Sequence, residues 1–174
     1  FGGMFAVYSY IAKTVTEVGG LDKGTVPLFV LALGLGMVAG TWLAGELAAW
    51  SVFRSLIGSG VVGIALMLVY YVAAPGGWVL LPVAFLVTAT GSVLVVNLQL
   101  RLMDVAGGAV TLGAAMNHAA LNLANALGAW LGGLVIAAGH GYRAPALVGA
   151  GLAGAGVLIL LVSAVTHRRA QQPA

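Results

Sequence analysis

Five apolar stretches, each close to the length of a membrane crossing and almost free of charge, dominate this chain. They run over residues 26–47, 56–74, 78–97, 111–138 and 146–166, and residues 1–12 form a sixth, shorter one. A helix rises about 1.5 Å per residue, so about 20 apolar residues match the roughly 30 Å of bilayer hydrocarbon. Lipid leaves backbone groups no external partner, and uninterrupted apolar runs satisfy theirs as helices. Composition agrees. A soluble domain carries about 25% charged residues, whereas this chain of 174 residues carries 6% charged, 61% hydrophobic, and a mean hydropathy of +1.10. The expected fold class is therefore an all-α integral membrane protein with six transmembrane helices, multi-pass in the cell membrane, with the lipid bilayer as its first partner.

The breaks between runs are short and polar. Thr14 to Thr25 holds Glu17, Asp22, Lys23 and three glycines; Pro75-Gly76-Gly77 precedes Trp78; Arg101, Asp104 and Gly107-Gly108 mark a loop, as does Gly139-His140-Gly141-Tyr142-Arg143. No room remains for a separate soluble domain, and residues 1–12 read as a truncated helix. Alternating loops place Arg54, Arg101, Arg168 and Arg169 on one side and Lys13, Lys23 and Arg143 on the other. The bias favours a cytoplasmic C-terminus, with His167-Arg168-Arg169 beside anionic lipid. The basic residues stand singly, so the net charge of +3 does not imply nucleic acid.

With no cysteine, a disulfide framework, a thiolate metal site and a cysteine nucleophile are excluded. Neither HExxH nor GxxxxGK[ST] occurs, and no metal or cofactor is expected. Gly36 with Gly40, and Gly128 with Gly132, have the spacing that lets helix backbones approach closely. These pairs, and the glycine-rich stretch from Gly149 to Gly156, are read as packing devices.

Polar side chains inside a membrane span default to function, because hydrocarbon penalises them. Asn117, His118, Asn122 and Asn125 concentrate in one run, and 118, 122 and 125 fall at i, i+4 and i+7 on one helix face. Such a stripe either lines a cavity that binds a polar substrate or joins helices by hydrogen bonds worth about 0.6 kcal/mol each. An imidazole titrates at about 6.5 without strong neighbours, so His118 is the stripe's candidate carrier of a coupling proton, or else a neutral hydrogen-bonding partner. Asn97 and Gln99 close the preceding run, and Tyr8 adds a further candidate contact. The Thr and Ser residues of that run can bond their own helix. All four acids, Glu17, Asp22, Glu46 and Asp104, fall in loops or at helix ends.

Leu98-Gln99-Leu100-Arg101-Leu102-Met103-Asp104, then Ala114-Ala115-Met116-Asn117-His118-Ala119-Ala120-Leu121-Asn122 and Asn125-Ala126-Leu127-Gly128-Ala129-Trp130, resemble helices ten and eleven of the major facilitator superfamily. The likeness is to its drug:proton antiporter group with 12 spans, which includes sugar-efflux and chloramphenicol-resistance permeases. Tyr8-Ser9-Tyr10-Ile11-Ala12 with Thr16-Glu17-Val18 resembles the end of helix seven. The resemblance implies the C-terminal half of a 12-helix fold (a 3+3 repeat), whose partner is an N-terminal six-helix half. It further implies alternating access, a small-molecule substrate near the midplane, and a proton as coupling ion. One stretch departs from the pattern. Where relatives carry a charged Gly-Gly-Arg-Leu-Ala-Asp-Arg latch, this chain has Ala44-Gly45-Glu46-Leu47-Ala48-Ala49-Trp50, with Arg54 nearby.

Two other classes compete with a proton-coupled efflux permease. A six-helix substrate-binding subunit with a separate energising partner fits the length and the absence of a midspan carboxylate. An intramembrane serine protease would use Ser59 with His118 or His140, but Ile57 stands where the Gly-x-Ser-Gly pattern needs glycine. The expected protein is not an enzyme.

Overall fold

A computed structural model describes residues 1–163 in full and the backbone of 164–170. All regular structure among the described residues is helical. Helix α1 spans Gly2–Lys13 and runs on through a wider π-type turn, Thr14–Val18. Helix α2 spans Val26–Ala73, α3 Leu80–Val105, α4 Val110–Val135 and α5 Pro145–Ala170. Among the described residues three continuous helical stretches, Lys23–Val105, Gly107–His140 and Pro145–Ser163, are long and apolar enough to cross a membrane. The first of these is interrupted at Ser51 and Gly77.

The interruption at Ser51 has a local cause. Ser51 is extended (φ −170°, ψ 110°), and its Oγ accepts from the Arg54 amide at 3.3 Å. That is the geometry of an N-cap, which satisfies one of the free amides at the start of a helix. Ser55 Oγ donates to the carbonyls of Ser51 and Leu47, at 2.7 and 2.9 Å, tying the start of the second limb to the end of the first. The two limbs run oppositely against α3. In the first, Leu33 and Gly36 meet Thr88, Gly40 meets Ala89, and Ala44 meets Asn97. In the second, Gly60 faces Leu94 and Gly63 faces Thr90. Thr88 bonds its own helix and also donates across to Leu33 O at 2.9 Å, a link beyond the intrahelical bonding that the sequence suggests.

The breaks gather at the two ends of the bundle. Gly19 and Gly77 meet at one end, where Thr14 Oγ1 also donates to Tyr142 O at 2.9 Å. Lys13, Lys23 and Arg143 belong to this end; Arg54 and Arg101 belong to the other, with the Ser51 turn. His167, Arg168 and Arg169 lie outside the fully described residues. Helix α3 runs further than the span expected at 78–97. Arg101 and Asp104, expected in a loop, form an ion pair of 2.8 Å in its last turns. Two charges on an exposed helix end need no loop to reach water, and the helix stops only where Gly107 adopts a left-handed φ of 54°.

The core forms where α1, both limbs of α2, α3 and the start of α5 meet, around Met4, Val7, Phe29, Leu33, Met67, Tyr70, Val87 and Ala146. Glycine makes these approaches possible. A Cβ at Gly36 or Gly40 would overlap α3, and one at Gly128 would overlap the Gly2 carbonyl. Gly149 sits equally tightly against Met67 and Gly3, but Gly151, Gly154 and Gly156 face open space. The glycine-rich stretch of α5 is therefore a packing device at one position, not along its length.

Candidate functional site

The polar stripe divides in the folded chain. His118 and Asn122 are exposed on α4, and Asn125 is half-buried with its Oδ1 enclosed and unpartnered. Asn117 lies about 100° round the helix from His118 and is 2% exposed. Its Nδ2 donates to Gln99 Oε1 on α3, while its own Oδ1 has no partner. Gln99 is thus engaged across the helix pair, and its Nε2 also lies 3.7 Å from Met103 Sδ.

Asn97, fully buried, donates to Val93 O at 3.0 Å and Ala44 O at 3.5 Å. It joins α3 to the first limb of α2 and is turned away from open space. Tyr8 is exposed on α1, its ring centroid 5.4 Å from that of Phe5. The neighbouring Tyr10 is pinned instead: its hydroxyl donates to Ala129 O at 2.7 Å, and its ring lies against Gly132 and Gly133. Sequence reasoning gave Tyr10 no role in joining helices, although two glycines one helix away are the signal of a space an aromatic ring fills. Ser59, the nucleophile considered for a protease, donates its hydroxyl to Ser55 O and Leu56 O within its own helix.

Charge stays at the rims. Glu17 accepts from Lys13 Nζ at 3.1 Å, and this hydrogen bond and the carboxylate's charge raise the Lys13 pKa. The Arg54 guanidinium stacks over Trp50, 5.4 Å from the ring centroid.

Helix α4 exposes two surfaces of different chemistry. One carries His118 and Asn122 among Ala115, Ala119 and Ala126; the other carries Leu112, Met116, Leu123 and Trp130. Hydrocarbon suits the second. The first is costly against lipid and calls for water, a polar ligand or another polar helix. A void of about 30 Å³ between α1, α2, α3 and α5, lined by Met4, Ser59, Gly63, Met67, Thr90 and Gly91 among others, has room for a water but not for a small-molecule substrate. The open polar face of α4 offers a ligand an imidazole and an amide instead.

Known proteins similar to this chain agree on a class. The inner membrane transport protein YdhP of Escherichia coli O157:H7 is 35% identical over 164 residues, 94% of this chain and 42% of that protein. Two MFS-type transporters of Bacillus subtilis, YfhI and YtbD, are each 30% identical over 138 and 142 residues, 78% of this chain. The relatives are membrane transporters. The chain spans between 34% and 42% of the length of these three. No family model and no solved structure matches it.

Proposed function

We propose that this chain is the C-terminal six-helix half of a 12-helix major facilitator permease of the drug:proton antiporter group. Its helices are α1, the two limbs of α2, α3, α4 and α5, with the C-terminus in the cytoplasm. The complete protein exports a small molecule in exchange for protons by alternating access, with the substrate held near the midplane between the halves. The observation that carries this reading is the exposure of His118 and Asn122 on a helix whose other exposed side chains, beyond Thr111 in its first turn, are apolar. An uncovered imidazole and amide at membrane depth require a polar counterpart, and the N-terminal half with a water-filled cavity between the halves supplies one.

In this reading α4 forms one wall of the cavity. Asn122 hydrogen-bonds the substrate from the exposed face, the half-buried Asn125 borders that site, and Tyr8 contributes from α1. His118 takes up and releases the coupling proton, because all four acids of this chain lie at helix ends or in loops. The test is export by the full-length protein in inverted vesicles, with and without an imposed pH gradient, against sugars, phenicols and cationic dyes. Gradient-dependent transport of any of these, lost when His118, Asn122 and Asn125 are changed together to Ala, supports the assignment. Wild-type rates from the triple variant rule it out.

A further inference from the structure

Helix α4 is held unevenly along its length. Its second half is clamped: Gly128 meets the Gly2 carbonyl, Gly132 meets Pro145 and the Tyr10 ring, and the Tyr10 hydroxyl reaches Ala129 O at 2.7 Å. Its first half is nearly bare. Among residues 110–121 only Asn117 is buried. The ties described there are to α3, through Gly113 against Leu102 and Ala106 and through the hydrogen bond from Asn117 Nδ2 to Gln99 Oε1. His118 and Asn122 belong to this bare segment or its edge, and both point away from α3 into open space.

We infer that Gln99 and Asn117 are positioning residues, whose hydrogen bond sets the rotation of α4 and so aims His118 and Asn122. Two facts separate this role from ligand binding. Asn117 is 2% exposed, and its only free hydrogen-bonding atom, Oδ1, is enclosed. Gln99 offers its carbonyl oxygen to Asn117, not to open space. A helix turns as a unit over a few residues, so fixing Asn117 against α3 fixes its neighbour His118 about 100° away. This inference rests on the transporter reading for its transport assay, and on geometry alone for its second assay.

The test uses the full-length protein with Gln99→Leu, Asn117→Leu, the double leucine variant, and the exchange Gln99→Asn with Asn117→Gln. Gln99→Leu strands the buried Asn117 amide and Asn117→Leu takes the partner from the half-buried Gln99, so the KM for a transported substrate should rise in both, by about tenfold in the first. The double variant should be no worse than either single, since the two side chains act through one bond. The exchange restores a donor–acceptor pair and should return the KM to within about threefold of wild type. In parallel, each variant is combined with Asn122→Cys and labelled with a membrane-impermeant maleimide. The labelling rate should change in both single leucine variants and recover in the exchange.

Additive losses, or an exchange that fails while both singles fold and label normally, would make Asn117 a ligand and overturn the inference. Unchanged KM and labelling in the leucine variants overturn it equally. A wild-type protein that moves no substrate defeats the transporter reading, yet labelling and the coupling of the two leucine substitutions in thermal unfolding still decide this one.

Discussion

Residue by residue, the chemistry of this chain narrows to His118. Of its three histidines, His140 lies at a helix end and His167 beyond the fully described residues, while His118 sits within α4 on an exposed face. If it carries the coupling proton, His118→Ala should abolish export driven by a pH gradient in vesicles and spare substrate counterflow, which needs no proton movement. Counterflow and driven export falling together would place His118 among substrate contacts instead. The face itself was legible in the sequence, because 118, 122 and 125 repeat at helical spacing. The same spacing sets Asn117 off that face but does not reveal what it meets. Its burial depends on how α4 is rotated against α3, and rotation is set by Gln99, 18 residues away on another helix. Asn97 was misleading for the same reason: an amide in an apolar run looks identical whether it meets a ligand or, as here, the Ala44 carbonyl.

At the scale of helices, glycine and serine decide how close elements come and where they turn. Gly128 leaves no room for a side chain against the Gly2 carbonyl, so Gly128→Val should destabilise the protein by about 3 kcal/mol. Gly151 faces open space on a helix, and Gly151→Ala should stabilise it by about 0.5 kcal/mol through reduced backbone entropy. Thermal unfolding of the full-length protein in detergent measures both, and similar shifts for the two would contradict the packing described. Both glycines lie in glycine-rich sequence, which is why composition read them alike. A third expectation concerns the reversal of α2. Ser51→Ala removes the acceptor for the Arg54 amide and should cost about 1 kcal/mol in the same assay. The position of that reversal was visible in the polar interval between two apolar runs. Its cap was not, since many serines flank helices and only the backbone geometry shows which one accepts.

At the scale of the whole molecule, two exposed surfaces demand different surroundings. Leu123 and Trp130, 72% and 60% exposed on α4, are at home in lipid tails, where no aqueous reagent reaches. His118 and Asn122, on the same helix, are exposed toward a region that must hold water if the protein works as a transporter. This chain has no cysteine, so single cysteines report cleanly once any elsewhere in the full-length protein are replaced. In right-side-out and inverted vesicles, His118→Cys and Asn122→Cys should react with a membrane-impermeant maleimide, and transported substrate should slow the reaction. Leu123→Cys and Trp130→Cys should stay unlabelled from both sides until detergent is added. The pattern discriminates because neighbouring residues 122 and 123 differ in nothing but helical direction. Labelling of both would mean that α4 is surrounded by water, and labelling of neither that its polar face is packed against protein. In the second case the amides join helices, and a substrate passes through surfaces this chain does not supply.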